Sequence, residues 1–348
     1  MADSALQQGK RVSARESYLR ASNYYRTAEF FLHGDPHDPR ILATWGTSRT
    51  TFRQAVKLMD TPVEQVLIPY EGTFLPGYYY QPDDSHQPRP TLIVHGGYDS
   101  TGEELYFMIA AAAIQRGYTC LTFEGPGQGA LIREQHLPLR PDWEQVVTPV
   151  VEFLLRRPEV DPARIALMGI SLGGYLAPRA AAFEHRLAAL IADDGLYSFQ
   201  FSEKARAITK VAALFGRALA HSMLKQVMQR NTGIRWAIEN GMFTFQVDSI
   251  WDLIEATESW SLEGVVQGIT CPTLVCEAEG DHFFVEQPKM LYEALTCPKT
   301  LLRFTAEDGA EEHCQLGALL LFNHRVFEWL DTRLVVDERD SPLTGAHL

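Results

Sequence analysis

Between Pro90 and Phe304 the chain alternates short apolar runs with helical stretches, and one run-to-helix turn reads Gly169-Ile170-Ser171-Leu172-Gly173-Gly174. That alternation restricts the fold most. Parallel neighbours need long crossovers, helices supply them, and a mostly parallel sheet covered on both faces follows. The runs read as strands at 91–94, 119–123, 165–168, 188–191, 273–276 and 300–304, with helices at 103–116, 143–156, 172–183 and 288–295. Pro149 falls inside the second helix and is expected to kink or break it. Ahead of the alternation, residues 63–69 and 74–80 read as a hairpin turning at Glu71-Gly72.

The flanks divide the chain further. Residues 1–60 read as a helical segment with Tyr18, Tyr24, Tyr25, Phe30 and Phe31 as an apolar stripe to be buried, broken by a turn at Gly34-Asp35-Pro36. The core then occupies 61–195 and 263–336. Residues 196–262 interrupt the alternation with a helical stretch rich in Met and aromatics, read as a cap over the sheet's C-terminal edge. A final helix at 315–330 carries Leu316, Leu319, Leu320, Val326, Phe327 and Leu330, and a charged tail at 337–348 is expected to be loose.

The turn at Ser171 carries the chemistry. A G-x-S-x-G pattern arises by chance in roughly one chain of this length in ten, so its context decides. Here a strand precedes it and a helix follows, as in a nucleophile elbow that lifts a serine hydroxyl above the sheet edge. A serine hydroxyl needs a base. In the α/β-hydrolase fold its partners follow in the order acid, then His, after late strands. Asp281 and His313 occupy those positions; Glu279 and Asp308 are fallback acids. His282 adjoins the acid and would face elsewhere, and His324 lies within the last helix. The oxyanion of a tetrahedral intermediate needs fixed N–H donors. Leu172 supplies one, and Gly97 or Tyr98 in His95-Gly96-Gly97-Tyr98 the second, with His95 supporting the loop. Glu124-Gly125-Pro126-Gly127-Gln128-Gly129 has no following G-K-[ST] and reads as a tight loop at the rim.

Bulk properties exclude other classes. With 31 Lys and Arg against 44 Asp and Glu, the formal charge of -13 repels phosphate backbones and anionic membranes. No nucleic-acid or membrane partner is expected. No metal-binding pattern such as H-E-x-x-H occurs, and no cofactor is implied. The five cysteines form no C-x-x-C pair, and four of them sit in or beside apolar stretches, as buried thiols of a reducing compartment do. Without an apolar signal at the N-terminus, a cytoplasmic enzyme acting on a small molecule is expected, with a homodimer as one allowed assembly.

Several stretches together resemble a group of α/β-hydrolases: His95-Gly-Gly-Tyr-Asp-Ser, Phe123-Glu-Gly-Pro-Gly-Gln-Gly, Gly169-Ile-Ser-Leu-Gly-Gly-Tyr, Gly280-Asp-His-Phe-Phe, Gly309-Ala-Glu-Glu-His-Cys-Gln and, in the cap, Arg235-Trp-Ala-Ile-Glu-Asn-Gly-Met-Phe. The set resembles the fungal polyketide-shortening hydrolases of yellowish-green pigment synthesis, dihydroxypseudooxynicotine hydrolase and the fermentation-respiration-switch esterases. The resemblance implies cleavage of a carbon–carbon bond next to a carbonyl through an acyl-enzyme. It also implies a carboxylate near the cap entrance, for which Glu203 and Asp194 lie in the corresponding region, and Trp236 as a substrate contact. A carboxylesterase or thioesterase is the alternative within the class. A cyclase or binding protein of the same fold is the alternative outside it.

Overall fold

Glu71 and Gly72 both take positive φ, 39° and 81°. That pair closes the tight turn between β1 (Val63–Tyr70) and β2 (Thr73–Tyr80) with the right-handed twist a hairpin needs. The computed structural model describes residues 1–200 and 217–334. Its strands continue as β3 (Arg89–His95), β4 (Thr119–Phe123), β5 (Val160–Ile170), β6 (Ala189–Asp193), β7 (Thr273–Ala278) and β8 (Lys299–Phe304), and its α-helices up to β6 are α1 (Ala2–Gln7), α2 (Arg11–Phe30), α3 (Pro39–Val56), α4 (Ala111–Gln115), α5 (Gly129–Glu134), α6 (Glu144–Leu154) and α7 (Gly173–Ala181). They form one sheet in the order β1-β2-β4-β3-β5-β6-β7-β8. The hairpin pairs antiparallel with β4, and from β4 to β8 every neighbour is parallel.

Both faces of the parallel part are buried, which explains its unbroken apolar runs. Ile93, Leu121, Ile165 and Leu167 point to one side, against α6 (Glu144–Leu154) and α7 (Gly173–Ala181). Leu92, Val94, Cys120, Ala166 and Met168 point to the other, with Phe52 of α3 (Pro39–Val56) and the final helix, Leu319–Leu334. The helix α6 runs through Pro149 without the break that the sequence allowed for. A proline inside a helix costs about 3 kcal/mol. Val146, Val147, Val150, Val151 and Leu154 are all fully buried, and at about 1.5–3 kcal/mol each they outweigh that loss.

Two apolar readings need correction. The last helix starts at Leu319, later than expected, because His313–Gln315 form a separate tight turn with Cys314 at φ 53°. Leu316 therefore precedes the helix and is exposed, and Leu320 points to solvent, while Phe322, Val326, Phe327 and Leu330 pack on the sheet. In α2 (Arg11–Phe30), Tyr24 and Tyr25 are exposed, as is Phe31 just beyond it. The buried face is Ala14, Tyr18, Ser22, Arg26 and Glu29, at spacings of four, four, four and three. The helix is amphipathic in the helical period, but much of its inner face is polar.

That polar face is a closed ionic cluster. Glu29 is fully buried; it accepts from Arg26 at 2.9 Å, contacts His33 at 2.7 Å and also pairs with Arg133. Arg26 reaches on to Asp99 at 2.7 Å and Glu104 at 2.9 Å, which ties α2 to the loop after β3. Against desolvation, the charges of Arg133 and Arg26 hold the Glu29 carboxyl far below the usual range.

The interruption between β6 and β7 is clasped at its base. Phe199 N–H donates to Trp260 C=O and Leu262 N–H to Tyr197 C=O. Its described helices include Thr232–Phe245 and Ile250–Ala256. The first of these touches α2 directly: Trp236 Nε1 donates to the Phe30 carbonyl at 2.8 Å, and the two rings lie 4.8 Å apart. No described helix is long and apolar enough to cross a membrane.

Candidate active site

The turn from β5 into α7 puts Ser171 at φ 60°, a left-handed conformation unusual for a residue with a side chain. Close packing enforces the glycine before it. A Cβ on Gly169 would come within 2.0 Å of the Gly173 carbonyl oxygen. Ser171 Oγ lies 2.9 Å from His313 Nε2, and His313 Nδ1 lies 2.9 Å from Asp281 Oδ2. These three residues, which follow β5, β7 and β8, therefore meet at one end of the sheet.

The fallback acids are engaged elsewhere. Asp308 pairs with Arg325 and caps the turn at Thr305; Glu279 accepts from Ala306 N–H. His282 is exposed, and its ring lies 4.2 Å from that of Phe283, tilted by 34°. His324 is exposed too, 3.3 Å from Glu328.

The N–H groups of Gly97, Tyr98 and Leu172 have no acceptor among the described residues. A Cβ on Gly97 would sit 2.5 Å from the Leu172 nitrogen, so only glycine lets the two loops touch there. The Glu124–Gly129 stretch is a brace for this loop, a role the sequence reading missed. Gln128 Nε2 donates to the carbonyls of Gly96 at 2.8 Å and Gly97 at 3.2 Å. In a planar trans peptide the N–H points opposite its C=O, so holding these carbonyls aims the N–H groups of Gly97 and Tyr98 the other way. Glu124 accepts from Gly102 N–H and Ala130 N–H and so holds the brace in place. His95 is fully buried and accepts from Trp143 Nε1 at 3.2 Å; desolvation lowers its pKa to about 4 and keeps it neutral.

The remaining candidates separate. Asp194 is not at an entrance. It is fully buried, and its Oδ2 lies 2.8 Å from His313 Nδ1. Its left-handed φ of 50° just past β6 turns the chain so that the carboxylate points inward. Trp236 stands between Phe30, His33 and Tyr98. Glu203 lies outside the described residues. From His313 a row of aromatic contacts runs through Phe284, Phe199 and Tyr98 to Trp236, each ring within 6.4 Å of the next. Burial lowers the His313 pKa, but hydrogen bonds to Asp194 and Asp281 outweigh this and raise it to about 10. The same bond from His313, working against desolvation, holds the Asp281 carboxyl below its ordinary value.

Among the described residues, Asp194, His313 and Cys314 are grouped closely enough to suggest metal ligation. Burial and the neighbouring carboxylates push the Cys314 thiol well up, however, and Asp194 is already committed to His313 and to Cys314 N–H. A cavity of about 270 Å³ lined by Arg49, Arg53, Tyr78, Glu103 and Glu124 lies over β1 and β2, with β4 and β3 between it and β5.

Comparison with known proteins agrees with this architecture. Residues 2–233 match the family described as Esterase FrsA-like. The chain is 36% identical to the hydrolase acrC of Aspergillus aculeatus, over 97% of this chain and 85% of that one. It is 35% identical to the 20-hydroxy-prefusarin hydrolase FUS2 of Gibberella moniliformis, over 97% and 85%. Among solved structures, 2,6-dihydroxy-pseudo-oxynicotine hydrolase superposes with a TM-score of 0.76 at 23% identity, covering 96% of this chain and 84% of that one. The chain belongs to the FrsA-like esterase family of α/β-hydrolases, and it is a hydrolase.

Proposed function

We propose that the protein is a serine hydrolase that cleaves a carbon–carbon bond beside a carbonyl in a β-diketone or aromatic polyketide-like substrate. The observation that carries the mechanism is the 2.9 Å approach of Ser171 Oγ to His313 Nε2 beside three backbone N–H groups without an acceptor among the described residues. Ser171 attacks the carbonyl carbon and its proton passes to His313. The oxyanion rests on the N–H of Leu172 and of Gly97 or Tyr98. Collapse breaks the C–C bond, and the leaving carbanion, delocalised onto a second carbonyl as an enolate, takes the proton from His313. Water, activated by the same imidazole, then hydrolyses the acyl-enzyme.

The substrate class rests on the ring row from His313 to Trp236, which suits a flat molecule, and on relatives that include a hydrolase named for prefusarin. In this reading the segment between β6 and β7 is the cap, the first sixty residues help to close it, and Trp236 contacts substrate. The described cysteines are all free and mostly buried, which suits a cytoplasmic enzyme. The family description favours the second reading, a carboxylesterase or thioesterase. A matched panel of aryl esters and 1,3-diketones decides. Turnover of the diketones that Ser171→Ala abolishes supports the first reading, and turnover of esters alone overturns it.

A further inference from the structure

Two carboxylates meet the far nitrogen of His313. Nδ1 lies 2.8 Å from Asp194 Oδ2 and 2.9 Å from Asp281 Oδ2. The acids come from different strands, Asp194 directly after β6 and Asp281 from the loop after β7. Asp194 is also gripped by the residues that follow the histidine. Cys314 N–H donates to its Oδ2 at 2.6 Å and Gln315 Nε2 to its Oδ1 at 3.3 Å. Asp281 accepts from Phe283 N–H at 2.7 Å with its other oxygen. Each acid is thus fixed by backbone independently of the other.

The other groups around the ring add little charge. Ser171 occupies Nε2, and the rings of Phe283 and Phe284 lie 5.1 and 5.4 Å away. Asp193, fully buried and with neither oxygen hydrogen-bonded, is pushed well up by desolvation and by Asp194, which favours its neutral form. Burial likewise keeps the thiols of Cys276 and Cys314 protonated. Asp194 and Asp281 are the carboxylates within hydrogen-bond reach of the ring.

We propose that Asp194 is a second positioning residue for His313, so that the role of orienting acid is divided between two carboxylates and loss of Asp281 alone leaves a working Ser171–His313 pair. This rests on the serine-hydrolase reading above. A single Nδ1 proton bonded by two acceptors remains bonded, and the ring remains aimed, when either acceptor is neutralised. Each carboxylate also favours the charged ring, so removing either one lowers the pH at which His313 becomes a free base.

The test is the rate at which a fluorophosphonate labels Ser171, followed from about pH 6 to about pH 10.5, which needs no knowledge of the substrate. Wild type, Asp194→Asn, Asp281→Asn and the double variant are compared. Each single variant is expected to keep a rate at least about 100-fold above the double variant, whose loss approaches the ~10⁴-fold of a triad with its one acid neutralised. Each single variant should also bring the ascending limb of the profile to lower pH than wild type. The proposal is overturned if Asp281→Asn alone falls as far as the double variant, or if the Asp194→Asn profile superposes on wild type. Should Asp194→Asn not fold, the His313 Nδ1 proton is followed by NMR in Asp281→Asn at a pH where the ring is charged. A retained downfield resonance supports the second acceptor, and its disappearance overturns it. If Ser171→Ala labels like wild type, the serine-hydrolase reading itself has failed. Normal Ser171 labelling with an indifferent Asp194 sinks only this proposal.

Discussion

Gln128 donates its side-chain amide to the backbone carbonyl of Gly96 at 2.8 Å, across the gap between the loops that follow β4 and β3. That bond, with its weaker partner at Gly97, fixes the peptide planes that carry the Gly97 and Tyr98 N–H groups. Gln128→Ala should therefore lower kcat about 10-fold to 100-fold with KM nearly unchanged. That is less than the 10²–10³ lost with a donor itself, because the N–H groups remain but are no longer held. Steady-state kinetics on any turned-over substrate checks this; an unchanged kcat would show that the loop needs no brace.

Glu29 is the carboxylate that Arg26, His33 and Arg133 share beneath α2. Glu29→Gln leaves two buried guanidinium groups without their shared partner. A loss of about 3–5 kcal/mol is expected, as for breaking one side of a buried pair. Urea denaturation measures it, and a loss under about 1 kcal/mol would mean that the cluster contributes little.

His95 links stability to pH. Its folded-state pKa is about 4 against an ordinary 6.5, because burial disfavours the charged ring. Between those values the unfolded chain binds a proton that the folded chain does not, so stability falls as pH drops from about 6.5 to about 4. The full shift is worth on the order of 3 kcal/mol. In His95→Phe the fall over that window should be smaller by about this amount. Parallel denaturation series at both pH values test the difference, and equal slopes would contradict it.

Glu279 and Asp308 are bonded away from His313, to Ala306 N–H and to Arg325. Glu279→Gln and Asp308→Asn should keep kcat within about two-fold of wild type, well short of the loss expected when an orienting acid is removed. A ten-fold or larger loss in either would reopen the choice of acid.

Much of the site could be read from order along the chain. Ser171 sits at a strand-to-helix turn, and Asp281 and His313 follow late strands, so topology alone brings them to one edge. The second contact of His313 could not be read this way. Asp193 and Asp194 are adjacent, and a strand sends adjacent side chains to opposite faces; only the positive φ at Asp194 shows which one turns toward the histidine. In α2 the search for apolar spacing found Tyr24, Tyr25 and Phe31, while burial went to Ser22, Arg26 and Glu29. Charges can occupy an inner helix face when their partners come from elsewhere, and Asp99, Glu104 and Arg133 are remote in sequence. Leu320 fits an apolar stripe by residue type, but the turn at Cys314 resets where the last helix begins.

The central claim is that Ser171 is the nucleophile. Intact-protein and peptide mass spectrometry after fluorophosphonate treatment tests it most directly. The account predicts a single adduct on the peptide carrying Ser171, with none in Ser171→Ala and almost none in His313→Ala. An adduct on another residue, or undiminished labelling of Ser171→Ala, would contradict it.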